Sequence, residues 1–206
     1  YGQAEAEALM RALVERLGVA REHGLPGYED TLYYLWRERR LPVNVDPFES
    51  QLEDAQERAR LRRIFQQGLK AVVGYALPLR ARWDGDRVGW ESGRWFLRDE
   101  RLYLIPGDSP MGFRLPLDSL AWQKPEDIGL ALPQDPWAPR GALPPRHMFA
   151  DARRGAAQGG DAAARAELER PPARGQSSAD LVRTALCIEP RDGILHVFMP
   201  PVMVLE

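Results

Sequence analysis

The sequence predicts an α+β fold, with N-terminal helices followed by an antiparallel sheet of hairpins. Three observations carry that prediction. Apolar residues recur at helical spacing through the first third of the chain. From Val72 onward the pattern shortens toward strand-like runs broken by turn residues. Near the end, Asp192-Gly193 joins two such runs, and Asp-Gly is the strongest short hairpin signal.

The first helix is expected over residues 4–17, where Leu9, Met10, Leu13, Val14 and Leu17 fall on one face and Gly18 supplies a stop. His23-Gly24-Leu25-Pro26-Gly27 is expected to be a loop. Asp30 is placed to cap a second helix running to about residue 40, with Leu32, Leu35 and Trp36 as its apolar stripe. Pro42 ends it, and Leu41-Pro42-Val43-Asn44-Val45-Asp46-Pro47 is an extended, proline-bounded loop. A third helix is expected over residues 52–69, with Leu61, Ile64, Phe65 and Leu69 inward and its charges in water.

Residues 72–79 form a strand candidate, and Trp83-Asp84-Gly85-Asp86 holds a turn signal. Residues 93–98 and 101–105 suggest two strands of a hairpin about Asp99-Glu100. Phe113-Arg114-Leu115-Pro116-Leu117 is expected to be extended, though too proline-marked for a central strand. The last two strands are residues 181–189 and 195–199. A two-residue turn sets Arg191 opposite Ile194, Glu189 opposite His196 and Cys187 opposite Phe198. Leu186, Ile188, Val197 and Met199 then share a core face. In domain terms the chain divides into a helical segment at 1–71 and an antiparallel β segment at 72–147 with a proline-rich end. A mobile linker at 148–179 and a hairpin of the same sheet at 180–206 follow. The linker is rich in Ala, Gly, Arg and Pro and too poor in large apolar groups to offset its ordering entropy.

Composition removes several classes of function. The 206 residues are 44% hydrophobic and 28% charged, the balance of a globular protein, and the formal net charge is −2. No basic face for nucleic acid is indicated, and no apolar run reaches the ~20 residues that span a bilayer. A single cysteine, Cys187, fits a reducing compartment, so a cytoplasmic location is expected. One cysteine and three scattered histidines cannot build a closed zinc site. The start, Tyr1-Gly2-Gln3-Ala4, lacks a Met and a leader pattern, and the end stops in an apolar run. Both ends are expected to be those of a piece of a longer chain.

Four groups of residues are candidates for chemistry. Glu189 and His196, opposed across the final hairpin, would have β-carbons about 4.5–5.5 Å apart. Such a pair can bind a metal, orient an amine or raise the imidazole's proton affinity, or it can stand as an exposed cross-strand ion pair. Gly107-Asp108-Ser109-Pro110-Met111-Gly112 with Arg114 offers backbone amides, metal-phosphate ligands and a guanidinium for phosphate. It lacks the Gly-Lys-Ser/Thr end of a Walker loop, and a plain strand connection accounts for the same residues. Tyr28-Glu29-Asp30 with Asn44 and Asp46 is a third polar group, in which Asp30 also serves as a cap. Cys187 lies mid-strand, where a small packed thiol is expected in preference to a nucleophile.

Several long runs resemble one family. They are Gly27-Tyr28-Glu29-Asp30, Tyr33-Tyr34-Leu35-Trp36-Arg37-Glu38-Arg39-Arg40-Leu41-Pro42-Val43-Asn44-Val45-Asp46-Pro47 and Gly93-Arg94-Trp95-Phe96-Leu97-Arg98. Ile105-Pro106-Gly107-Asp108-Ser109-Pro110-Met111-Gly112-Phe113-Arg114-Leu115-Pro116-Leu117 and Arg183-Thr184-Ala185-Leu186-Cys187-Ile188-Glu189-Pro190-Arg191-Asp192-Gly193 with His196-Val197-Phe198-Met199-Pro200-Pro201 complete the set. Together they resemble the bacterial putative amidoligase family of unknown function, whose long members usually carry a transglutaminase-like domain. The resemblance implies a relation to carboxylate–amine ligases of the glutamine synthetase type. Those bind ATP and Mg2+ on a curved antiparallel sheet and activate a carboxylate as an acyl phosphate that an amine attacks. It further implies a peptide or small carboxylate substrate and, as partner, the remainder of a longer chain. On that pattern Glu189, His196 and Arg114 would be catalytic. Gly107, Asp108, Ser109 and Arg114 would bind the cofactor, and Glu189 and Asp108 would hold the metal. The strands and the transglutaminase-like cysteine that family members carry outside this region are not in the sequence. The alternative is a non-catalytic module that binds peptide or protein.

Overall fold

A computed structural model of the chain describes residues 1–40, 43–44, 70–84, 87–97, 100–107, 109–127 and 169–200. The helix expected at 52–69, the loop residue Asp46 and most of the expected linker lie outside the described residues. The α+β class holds. Helix α1 (Gln3–Leu17) stops where expected, at Gly18, whose φ of 64° lets its N–H reach the carbonyls of Val14 and Glu15. Strand β1 (Leu25–Glu29) leads into α2 (Thr31–Glu38). Strands β2 (Val72–Pro78), β3 (Arg80–Asp84), β4 (Arg87–Glu91) and β5 (Leu102–Leu104) follow, and β6 (Ala185–Arg191) and β7 (Ile194–Phe198) close the order.

The main sheet has the order β5-β1-β2-β6-β7, and β3-β4 form a separate hairpin. Four expectations are corrected here. Residues 25–29 are a strand between β2 and β5, not a loop, because pairing on both sides overrides the Pro-Gly signal. The sheet is mixed, since β1 and β5 run parallel. The hairpin about Asp99-Glu100 does not form. Glu100 has a φ of 55° and its N–H bonds to Leu97 at 3.1 Å, a tight turn that sends β5 to β1. Phe113 and Arg114, the start of the run expected to be extended, belong to a 3-10 turn, Met111–Arg114. The turn signal at 83–86 does join a hairpin, in which Asp84 pairs with Arg87.

Both faces of the sheet are covered, which is why β6 buries five residues in succession, Ala185 to Glu189. One face carries Leu77, Leu79, Leu186 and Ile188 against Ala6, Met10 and Val14 of α1. The other carries Ala76, Leu102, Leu104, Ala185 and Cys187 against Trp95, Met111, Leu115 and Leu120. The Trp95 indole N–H donates to the Val182 carbonyl at 2.6 Å, so its one polar atom is satisfied inside the core. The expected core face of the final hairpin is half right. Leu186 and Ile188 are buried, but Val197 and Met199 are 45% and 60% exposed. In β7 only Leu195 packs against the α1 cluster, so beyond it the strand faces water. In α2 the expected stripe is also turned outward, with Leu32 76% exposed, while Tyr34 is the buried anchor at 1%. Asp30 caps that helix as expected, its Oδ1 accepting from the N–H of Leu32 and Tyr33 at 3.0 and 3.2 Å.

Candidate functional site

The candidate ionisable side chains lie on the sheet face opposite α1. Two glycines make this possible. Gly27 of β1 pairs with Gly74 of β2, leaving a stretch of bare backbone at the middle of the sheet. Met111 fills it. A Cβ at Gly27 would stand 3.0 Å from the Met111 methyl, and one at Gly74 would stand 2.7 Å from its sulfur. Isolated strand glycines signal such a close approach, and that was the available sequence clue to Met111's place.

Continuing the β2–β6 register sets Glu189 next to Gly74, with its Cα 3.4 Å from where a Gly74 Cβ would lie. Across β6 the expected register is found: Glu189 pairs with His196 and Cys187 with Phe198. Glu189 is 6% exposed, and both its oxygens accept hydrogen bonds from the Arg191 guanidinium at 2.8 and 2.9 Å. Its bonded partner is therefore a neighbour two residues on, not the imidazole opposite. His196 is half-buried and stacks on Phe198, with ring centroids 6.3 Å apart.

The glycine turn closes on the same face. Ile105 and Arg114 hold its two ends: the Ile105 N–H donates to the Arg114 carbonyl at 2.7 Å, and Arg114 Nε donates to the Ile105 carbonyl at 2.9 Å. Gly112 lies over Cys187 and Phe198, so the turn roofs the strand that carries Glu189. Gly107 is half-buried and Ser109 exposed; Asp108 lies outside the described residues. Arg114 is 4% exposed and points beneath the turn, where its guanidinium forms an ion pair with Glu29, itself 7% exposed. The Tyr34 hydroxyl donates to the same Glu29 oxygen at 3.1 Å. A buried charge is tolerated when it is paired and hydrogen-bonded, and here both conditions are met.

Glu29, Arg114, Glu189 and His196 thus belong to one sheet face. With strands ~4.8 Å apart, β1 and β6 put Glu29 and Glu189 on the order of 10 Å from each other, with Met111 between them. Sequence spacing grouped Glu29 with Asp30 and gave no sign of Arg114, its partner 85 residues away. Of the third polar group, Asn44 falls in a separate two-residue turn.

The chemistry open to this face is anionic recognition through Arg114 and carboxylate chemistry through Glu189. Each group is engaged within the protein, so a ligand has to replace an internal partner. Among the described residues no three His, Cys, Asp or Glu side chains group to hold a metal ion. Of the two carboxylates expected to hold a metal, Glu189 is engaged by Arg191 and Asp108 lies outside the described residues. Cys187 is fully buried, and burial, with Glu189's charge adding to it, pushes its thiol up to about 12. It is a packed thiol and not a ready nucleophile. Among the described residues no helix is long and apolar enough to cross a membrane.

A family model described as "Putative amidoligase enzyme" matches residues 1–206. No curated protein and no solved structure matches the chain.

Proposed function

The chain belongs to that amidoligase family, and from this premise we propose that it supplies the sheet of an ATP-dependent ligase joining a carboxylate to an amine in peptide or protein modification. The observation that supports the reading is that Glu189 of β6 and Arg114, paired with Glu29 of β1, belong to one sheet face, on the order of 10 Å apart. A guanidinium and a carboxylate on one rigid surface suit a reaction that builds negative charge on a phosphoryl group.

In that reaction the substrate carboxylate displaces ADP from the γ-phosphoryl group, and the amine then expels phosphate from the acyl phosphate. Arg114 would meet the phosphoryl oxygens by exchanging Glu29's carboxylate for them, one oxyanion for another. Glu189, released from Arg191, would orient the amine.

Thermal unfolding of the full-length protein with and without MgATP tests this. A ligand at a hundred times its Kd stabilises the folded state by ~2.7 kcal/mol. That increment is expected in the wild type and absent in Arg114→Ala and Glu189→Ala, each compared with its own nucleotide-free baseline. No nucleotide effect on the intact wild type sinks the proposal.

One observation favours the second reading, a module that binds peptide. Among the described residues β7 is an edge strand that exposes Ile194 and Val197, with Met199 exposed just after it, and the run 194–199 has no carboxylate, lysine, arginine or proline to guard it. That edge suits an added peptide strand. Peptide binding that persists with EDTA and without nucleotide selects this reading.

A further inference from the structure

Away from the glycine turn, three side chains meet around a buried histidine. His23 is 4% exposed and sits on the short turn before β1. Its Nδ1 lies 2.8 Å from Ser92 Oγ, just after β4, and its Nε2 makes a short contact with Glu169. Ser92 Oγ also lies 2.7 Å from the Pro78 carbonyl at the end of β2.

Counting protons fixes the roles. A carbonyl oxygen only accepts, so the one hydroxyl proton of Ser92 goes to Pro78. Nδ1 must then donate to Ser92 Oγ. The Glu169 carboxylate accepts as well, so Nε2 must donate to it. Every contact is satisfied only when both ring nitrogens carry hydrogen. Glu169 supplies the opposing charge that a buried imidazolium needs. Arg21 and Glu22 lie beside His23 on its own turn, and Glu91, next to Ser92, is held by Arg80 at 2.6 Å. Serine, histidine and glutamate also run acyl transfer in hydrolases, but here the hydroxyl proton is committed to Pro78 and not offered to the ring.

We infer that His23 is a two-proton clasp, fastening residues 169–172 to the sheet while doubly protonated and loosening them when one proton leaves. A ring with one N–H must give up either Glu169 or the Ser92–Pro78 bond. What the clasp holds is one wall of a cavity. Arg170, Pro171 and Pro172 line it together with Gly93 and Phe96, around a space of about 130 Å³. The lining residues further along, 176–181, are tied down independently. Ser178 donates its N–H to the Trp122 carbonyl at 2.9 Å, Lys124 donates to Ser177 Oγ at 2.9 Å, and Gln123 donates to the Ala179 carbonyl at 3.4 Å. Ala173 and Gln176 bond to each other in both directions at 3.0 Å, so loss of the clasp loosens 169–172 and leaves 173–182 in place.

Backbone 15N relaxation of the full chain, followed alongside the 15N shifts of the His23 ring, tests the clasp. The order parameter of Arg170, just ahead of the amide-less Pro171 and Pro172, is expected to fall from about 0.85 toward 0.6 as the ring passes from two protons to one, with β2 and β6 unchanged. In Glu169→Ala, a substitution at a half-exposed side chain, it is expected to be low and insensitive to the ring's titration. A wild-type order parameter that ignores the titration overturns the inference. So does a Glu169→Ala variant as ordered at Arg170 as the wild type, or a ring that never carries the second proton.

Discussion

Cys187 shows at the scale of one residue how position decides chemistry. The sequence placed it mid-strand between two apolar residues, and the sheet buries it completely. Its ordinary value of 9.0 rises to about 12 through burial first and Glu189's charge second. Between those values the unfolded chain releases the thiol proton and the folded chain keeps it. The unfolded state then binds fewer protons, so stability falls as pH rises. We predict a loss approaching ~1.4 kcal/mol per pH unit above the ordinary thiol value, absent in Cys187→Ala, read from urea midpoints across that window. Below it the contribution is fully present. Arg114 makes the opposite case for legibility. Its type was read correctly as an anion binder, but the anion it holds is Glu29, and no local pattern links positions 85 residues apart.

At the scale of elements, the final hairpin was legible because its turn is local. Asp192 and Gly193 take φ of 51° and 77°, the left-handed pair that a two-residue hairpin turn requires. Once the turn was placed, strict alternation fixed Glu189 opposite His196. Gly193→Val is predicted to destabilise the chain by ~1–2 kcal/mol, the cost of a left-handed β-branched residue. Chemical denaturation checks this, and an unchanged midpoint would argue against the turn geometry. β1 was not legible, for a related reason. It has five residues and contains Pro and Gly, so distant neighbours and not its own propensity make it a strand. β5 was expected as a strand at 101–105 and is one, but its parallel partner, β1, could not be read from local pattern. The two-sided burial of β6 was missed likewise, because the second cover comes from residues 95–120, far upstream.

At the scale of the molecule, the Glu29–Arg114 pair ties β1, the start of α2 and the glycine turn into one unit. Removing one member leaves a charge buried without its partner, which costs ~3–5 kcal/mol. Glu29→Leu and Arg114→Met are each predicted to lose about that much, while the double variant loses much less than their sum. A double-mutant cycle on urea unfolding measures the coupling, and additive losses would refute it. The overall class was readable from periodicity. The sheet order was not, since non-consecutive neighbours such as β2 and β6 leave no mark on local pattern.

That order also sets a timetable for synthesis. β2 sits at the centre of the sheet, yet the strand that pairs Ala185 with Pro78 is translated 107 residues after it (185 − 78). At ~5–20 residues per second, the ribosome leaves β2 with one side unpaired for roughly five to twenty seconds. During that interval α1 and β1 are already made but have only part of a sheet to rest on. A newborn chain of this kind is most exposed to chaperones, or to a wrong strand, just before the β6–β7 hairpin emerges.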